Sequence, residues 1–466
     1  MEYSAAIQFL YALEHGAIKL GLERIVAATA AREHPERCYA TIHVAGTNGK
    51  GSTCALLTAI LAAAGLRTGL LTSPHLLDFR ERIRIDGHLS SAAEIAAVTS
   101  ELTPLIREIG LSYFEATTLL AFELFARHQV DVAVIEVGMG GRLDATNVVH
   151  PALTIVTGID LDHVKSLGRT RPQIAGEKAG IIKGGVPLLL GPSGPAVREV
   201  FRRRAQELAA PLELLERRVR WHGVVPQGRG TRYDWQRPAA SEAAGARTGR
   251  QTIRLCGAHQ VVNALLADEA AHLLAAAGWP LDGAARRAGL TQGAWPGRFQ
   301  LRRPRSHGPL TVFDVAHNVQ GATAIVETWR RWLPDAKDAT LIVGMLGDKR
   351  HAAFLRRLRP LGERLLLIPL DSPRAGPLEP IARAARRGGF EAWTCAGVAE
   401  AWRRAMRWGA PVLITGSFLT VEAGMRLLGM RPVERLFAFE PSAAEPMEVG
   451  RPRAAGGGRC QPQRPL

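Results

Sequence analysis

Cysteine is scarce and unpatterned. The five cysteines of the 466-residue chain, Cys38, Cys54, Cys256, Cys395 and Cys460, form no CxxC pair and do not cluster with histidine, which argues against a zinc site and against a disulfide framework. Cys54 falls inside a helix-forming run and reads as a small buried apolar residue. A long apolar run is missing from the start: Met1 to Leu22 carries Glu2, Glu14 and His15 among its apolar residues, so neither a signal peptide nor a membrane span is expected, and the chain is expected in the cytoplasm. Acidic residues are outnumbered, 43 against 59 Lys and Arg, for a formal net charge of +16. That balance invites a nucleic-acid partner. Against it, the arginines are spread along the chain, with only short clusters such as Arg202-Arg203-Arg204 and Arg302-Arg303, and few aromatics interleave with them. A GC-rich genome and polyanionic small substrates explain the charge as well, so no nucleic-acid partner is expected.

What is present begins with length. A chain of 466 residues exceeds one ordinary core, so two domains are expected, and a mean hydropathy near zero fits a soluble globular protein. The organising stretch is His43-Val44-Ala45-Gly46-Thr47-Asn48-Gly49-Lys50-Gly51-Ser52-Thr53. Ala40 to Val44 read as a buried strand, and Ser52 to Ala64 as a helix rich in Ala and Leu. A strand thus ends in a glycine-rich loop that opens a helix. Gly46, Gly49 and Gly51 let the backbone approach an oxyanion, and the helix start offers unpaired N–H groups. Lys50 adds a charge for the β- and γ-phosphates, and Ser52 a hydroxyl for magnesium. The loop departs from G-x-x-x-x-G-K-[ST] because Gly51 stands between Lys50 and Ser52. The bland alternative is a ligand-free turn, disfavoured because a lysine at the helix mouth adds no packing and meets a like-signed dipole.

Residues 1 to 33 read as two short helices. Thr68 to Thr72 form a second strand, whose carboxyl end is a shaped loop at Ser73-Pro74-His75-Leu76, where open α/β sheets bind ligands. Helices are expected over Ala92 to Ile109 and Phe114 to Arg127. The apolar run Val130 to Val137 ends in Glu136 and Gly138-Met139-Gly140-Gly141, which puts a carboxylate either on a metal or on a neighbouring turn. Strand Ala152 to Gly158 runs into Ile159-Asp160-Leu161-Asp162-His163. His163 is either a satisfied core histidine or, at another strand's end, a ligand. A helix over Gln173 to Ile182 holds Lys178, and Val186 to Leu190 forms a further strand. Val219 to Ile253 reads as a hairpin with a long exposed insertion between Val225 and Gln251. Helices follow at His259 to Ala277 and Gly283 to Leu290. Past Ala294-Trp295-Pro296-Gly297-Arg298 the alternation restarts, with strands at Leu310 to Asp314, Thr340 to Gly344, Arg364 to Pro369 and Pro411 to Gly416 and helices between them. No G-x-G-x-x-G occurs there, so no dinucleotide is expected. The fold class is therefore α/β: a P-loop-type, doubly wound, mostly parallel sheet domain over residues 1–295, a smaller Rossmann-like α/β domain over 298–437, and a disordered tail over 440–466.

The stretches HVAGTNGKGST, TSPHL, ERIRIDG, SYFEATTLLAF, EVGMGGRLDATN, GIDLDH, GEKAGIIK, GAHQVVNALLA, PGRFQ, FDVAHN and ITGS stand in the order seen in the folylpolyglutamate synthase and dihydrofolate synthase family. The chain resembles that branch of the Mur ligase superfamily over roughly residues 20 to 430. Three features lie outside the resemblance: the 225–251 insertion, the basic Arg350 after Asp348-Lys349, and the tail. The resemblance implies an ATP-dependent acid–amino-acid ligase that makes an acyl phosphate, releases ADP and adds L-glutamate to dihydropteroate and to folates. A monofunctional folylpolyglutamate synthase is the next reading, then a Mur-type cell-wall ligase, then a basic P-loop ATPase acting on nucleic acid.

By motif position the resemblance implies roles for single residues. Gly46, Thr47, Asn48, Gly49, Lys50, Gly51 and Ser52, with Asn263, Arg298 and Asp314, would bind ATP. Ser52, Ser73, Glu136 and His163 would hold Mg2+, with Mn2+ able to substitute. Lys50 and His163 are the expected catalytic residues together with Lys178, which matches a lysine carbamylated in the family; the alternative is a surface lysine paired with Glu177. The pterin side would be lined by Leu20, Gly21, Leu22 and Glu23, by Arg82, by Ser112, Tyr113, Phe114 and Glu115, and by Leu143, Asp144 and Ala145. Phe114 is either a stacking ring or a core aromatic. His317 and Ser417 would orient glutamate. A monomer that closes about Pro296-Gly297 is expected.

Overall fold

The computed structural model describes residues 1–13, 21–238, 247–302 and 308–439. Leu20 and the tail expected to be disordered, 440–466, lie outside the described residues. The first sheet has eight strands: β1 (Ala40–Ala45), β2 (Thr68–Leu71), β3 (Ile83–Ile85), β4 (His88–Leu89), β5 (Val132–Glu136), β6 (Leu153–Val156), β7 (Leu188–Leu190) and β8 (Leu212–Leu214). Their order is β4-β3-β2-β5-β1-β6-β7-β8. The β2–β3 and β3–β4 pairs at one edge are antiparallel; β2, β5, β1, β6, β7 and β8 run parallel. Central parallel strands are covered on both faces, which is why β5 (VAVIE) is buried at every residue and reads as a continuous apolar run.

One face carries the helices Ala92–Ile109 and Tyr113–Arg127, each opened by a Ser/Glu capping box (Ser91 with Glu94, Ser112 with Glu115). The other face carries Lys50–Ala63, which is buried from Gly51 to Ala62 because Ala258–Ala276 and Gly283–Gln292 lie over it. At the closest approach a Cβ on Gly289 would stand 2.4 Å from the Ile60 Cα, so only glycine admits this packing distance.

The stretch expected to be a hairpin with an exposed insertion is instead a three-stranded antiparallel sheet: β9 (Arg220–Gln227), β10 (Gly230–Arg237) and β11 (Arg247–Ile253), in the order β11-β10-β9. Tyr233 and Ile253 are buried on the first domain's core with Trp221, Val224 and Trp235 against them. Arg237 points inward and pairs with Asp268 and Glu269 of the helix Ala258–Ala276, so a charged residue occupies a position where alternation calls for an apolar one. Residues 239–246, the middle of the expected insertion, lie outside the described residues.

The second domain holds β12 (Gln300–Arg302), β13 (Thr311–Phe313), β14 (Thr340–Val343), β15 (Arg364–Leu367), β16 (Glu391–Thr394) and β17 (Val412–Thr415), ordered β12-β13-β17-β14-β15-β16. Only β12 is antiparallel to its neighbour. The sequence reading passes over β12 and β16, short edge strands with little burial, and over the helix Phe418–Leu427. Beyond that helix the chain returns to the first domain. Arg84, 1% exposed, donates to the carbonyls of Gly87, Val433 and Glu434, the Leu89 amide donates to Glu434 and the Leu436 amide to Gly87. Leu436 and Phe437 are buried in the first domain's core. No helix among the described residues is long and apolar enough to cross a membrane.

Candidate active site

Four strand ends meet: β2, β5, β1 and β6 are consecutive in the sheet, and their carboxyl ends, with the loops that follow, carry Ser73, Glu136, the glycine loop and His163. Gly46 (φ 153°) and Gly49 (φ 87°) adopt backbone angles that disfavour a side chain. A Cβ on Gly49 would lie 2.3 Å from the Asn263 Oδ1, and one on Gly51 2.8 Å from the Trp295 Nε1, so the loop is wedged between the first domain's last helices and the linker. The Thr157 hydroxyl donates to the Asn48 carbonyl at 2.7 Å, and the Thr47 hydroxyl to Asp160 at 3.1 Å, tying the loop to the end of β6.

Glu136 pairs in register with Val44 across β5 and β1. It accepts from the Ser73 amide at 3.1 Å and lies 3.8 Å from the Lys50 ammonium. Burial pushes its carboxyl up, opposed by Lys50 and the Ser73 amide. The Ser73–Pro74 peptide is cis. The Ser52 hydroxyl is buried with no hydrogen-bond partner among the described residues. Burial lowers His163 to about 4, which keeps its imidazole neutral with a lone pair to offer, and its φ of 47° is left-handed. An orphaned hydroxyl, a desolvated carboxylate and a neutral imidazole are a donor set that fits a divalent cation.

Lys178 is 4% exposed on the helix Arg171–Ala179, and burial, with Lys50 nearby, lowers it to about 7. The expected alternative, a surface lysine paired with Glu177, does not hold. Glu177 pairs with Arg142 at 3.0 Å, and Gly141 packs on the Lys178 Cα, which turns Lys178 inward. Asp144 accepts from the Met139 amide at 2.8 Å and from the Thr146 amide and hydroxyl at 3.1 and 2.6 Å, so it shapes the glycine loop after β5; Ala145 is buried and Leu143 half-buried beside it.

From the second domain, Arg298 stacks 5.3 Å from the Phe418 ring centroid; burial lowers its guanidinium, opposed by Asp314 and Glu136. Asp314 accepts from the Phe299 and Ala316 amides at 2.8 and 2.9 Å and so fixes the linker. The Ser417 hydroxyl caps Phe418–Leu427 by accepting from Thr420 at 3.0 Å. His317 donates from Nε2 to Asp162 at 3.1 Å. Sequence reasoning passed over Asp162 and Lys349, which meet at 2.5 Å, and over Asn318 and Gln320, which bind Asn48. The only local signals were Asp162 beside His163 and Lys349 before Arg350.

On the expected pterin side, Gly21 has a φ of 135° and the Glu23 carboxylate folds against it, with Leu22 packed on the adjoining core. Ser112 and Glu115 bond each other, and Glu115 also pairs with Arg24 at 3.1 Å. Arg82 donates to the His75 Nδ1 at 2.8 Å and lies 5.3 Å from the Tyr113 ring centroid, beside Tyr11 and Phe79. Phe114 packs on Gly138, where a Cβ would stand 2.5 Å from its ring. Phe114 thus borders the glycine loop after β5, while Arg82, Tyr113, Tyr11 and Phe79 form a cluster of their own.

Residues 44–187 match the Mur ligase middle domain and residues 297–418 the Mur ligase glutamate ligase domain. The chain is 36% identical over 430 residues to a dihydrofolate synthase/folylpolyglutamate synthase of Escherichia coli, covering 91% of this chain and 95% of that protein. It is 31% identical over 445 residues to a folylpolyglutamate synthase of Lacticaseibacillus casei, covering 92% and 99%. A solved Mycobacterium tuberculosis folylpolyglutamate synthase, complexed with ADP and AMPPCP, superposes with a TM-score of 0.84 at 33% identity, covering 93% of this chain and 100% of that one.

Proposed function

Since the chain belongs to the folylpolyglutamate synthase/dihydrofolate synthase family of Mur-type ligases, ATP-dependent enzymes that form carbon–nitrogen bonds, we propose that it joins L-glutamate both to dihydropteroate and to folates. The observation that carries this reading is the convergence of Lys50, Glu136, the Ser73 amide and the orphaned Ser52 hydroxyl at adjacent strand ends. Amide formation from a carboxylate is uphill in water, so the acid must first be phosphorylated. Its carboxylate attacks the γ-phosphorus of ATP, the bond to ADP breaks, and an acyl phosphate forms. The glutamate amine then attacks the carbonyl carbon, loses a proton, and inorganic phosphate leaves.

The chain's part is to place charges and exclude water. Gly46 to Ser52 present backbone N–H groups to the phosphates, and Lys50 supplies a cation to the transferring group. Asn263, Arg298 and Asp314 hold the nucleotide from helix and linker. Ser52, Ser73, Glu136 and His163 would hold Mg2+, or Mn2+ in its place, which would supply positive charge to offset that of the phosphates. Lys178 with a lowered pKa keeps a fraction of neutral amine near pH 7. That amine adds to carbon dioxide, forming an N–C bond and releasing a proton, and the resulting carbamate gives the site a second anion. Gly21 to Glu23, Arg82, Ser112 to Glu115 and Leu143 to Ala145 shape the pterin side, and His317 and Ser417 lie on the glutamate side.

ADP release by the full chain with ATP, Mg2+ and L-glutamate, given dihydropteroate or tetrahydrofolate in turn, tests this. Turnover with both is expected. Turnover with tetrahydrofolate alone restricts the enzyme to polyglutamylation, and none with either overturns the reading.

A further inference from the structure

Two loops at the carboxyl ends of β13 and β14 grip the two loops of the first domain that follow β1 and β6. Asp162, 9% exposed, sits at the centre of the grip. Its Oδ2 accepts from the His317 Nε2 at 3.1 Å and the Asn318 Nδ2 at 3.3 Å, and its Oδ1 from the Lys349 Nζ at 2.5 Å. All three donors belong to the second domain. The fourth donor is the His163 amide at 2.8 Å, in the residue that adopts a left-handed backbone. Beside it, Asn318 donates to the Asn48 Oδ1 at 2.9 Å while its own Oδ1 caps the helix Val319–Trp332 by accepting from Gly321, and Asn48 donates to the Gln320 Oε1 at 2.6 Å.

We propose that Asp162 is a positioning residue, a latch that makes the placement of the second domain and the conformation of His163 depend on one another, with Lys349 as its charged partner. The inference rests on the ligase reading only for its kinetic consequence. The physical case is one of register rather than strength. Taking a carboxylate and an ammonium out of water nearly cancels their attraction, so the pair adds little net closure energy. A second domain displaced by an ångström or two leaves both charges buried and unpaired, which is strongly unfavourable. Only one docking register is therefore tolerated. In that register Asp162 also holds the His163 amide, so the domain that brings His317 fixes the first domain's strand-end loop.

Lys349→Met and Asp162→Asn each remove one charge without removing a backbone contact, and Lys349→Arg keeps it. Hydrogen–deuterium exchange of the peptide covering 158–165 reads the effect across the domain boundary, in a segment that Lys349→Met does not alter. Exchange at least about fivefold faster there is expected in Lys349→Met. With it, kcat should fall about tenfold or more while the KM for ATP stays within about threefold, because misplacement acts on the reacting geometry. Lys349→Arg should retain both exchange and kcat within about threefold. Unchanged exchange over 158–165 in Lys349→Met and Asp162→Asn overturns the latch, even if kcat falls. A wild-type chain that releases no ADP with any pterin would overturn the ligase reading instead and leave exchange to decide the latch.

Discussion

A carboxylate at the end of a wholly buried strand is under tension between solvation and function. Glu136 has its carboxyl pushed up by burial, so its ionised form weakens the folded state near neutral pH, opposed by Lys50, the Ser73 amide and, further off, Arg298 and Arg82. Glu136→Gln should therefore lower turnover by about 10²-fold or more while the metal-free protein melts no lower than the wild type. A lower melting temperature with retained turnover would mean that Glu136 is a structural cap. Lys50→Ala should be equally inactive and folded by circular dichroism. Lys178→Ala should lose activity that short carboxylates such as acetate partly restore, because what is missing is an anion of that size; no restoration at any acid concentration counts against a carbamate. Lys50, Glu136 and His163 are readable in the sequence because each stands where an apolar run stops. Asp162 and Lys349 are not. They pair across 187 residues, and an ion pair between two loops leaves no periodicity to detect.

Among elements, the helix Lys50–Ala63 depends most on its neighbours. Its start is the edge proposed to bind phosphate, and its middle touches Gly283–Gln292 backbone to backbone at Ile60 and Gly289. Gly289→Ala should destabilise the protein by about 1–3 kcal/mol in urea unfolding, since the clash is with backbone and cannot be relieved by a rotamer. It should also raise the KM for ATP, because the displaced helix carries Ser52; wild-type stability would show that the two helices can separate. Long elements with regular burial, such as Ala92–Ile109 and β5, are legible because one face or both faces meet a single core. The β9–β11 sheet is not, since Arg237 stands inward with Asp268 and Glu269 supplied by a later helix, and the period-two signal is broken where it should be clearest. β16 goes unread because two helical patterns flank only four residues of half-exposed strand.

At the scale of the molecule, burial depresses several histidines together. His43 and His75 fall to about 3 and His259 to about 4, against an ordinary value of 6.5. The folded chain thus refuses protons that the unfolded chain takes up, so stability is full above about pH 6.5 and declines as the pH falls toward the folded values. Fully buried His43 alone should account for about 2 kcal/mol of the loss by pH 5. Urea titrations at pH 7.5 and pH 5 check this, with His43→Gln expected to flatten the decline; an equal slope in that variant would mean His43 titrates in the native state. The two-domain plan was legible from the restart of alternation after Pro296. The return of the chain was not, because Leu436 and Phe437 lie in a short stretch whose partners are Arg84 and Gly87, far back in the sequence. That return makes the second domain an insert rather than an appendage. A chimera that grafts another ligase's second domain onto this scaffold would have to rejoin the host before Val433, and a circular permutant opened near Gly429 would lose one of the two seams that join the halves.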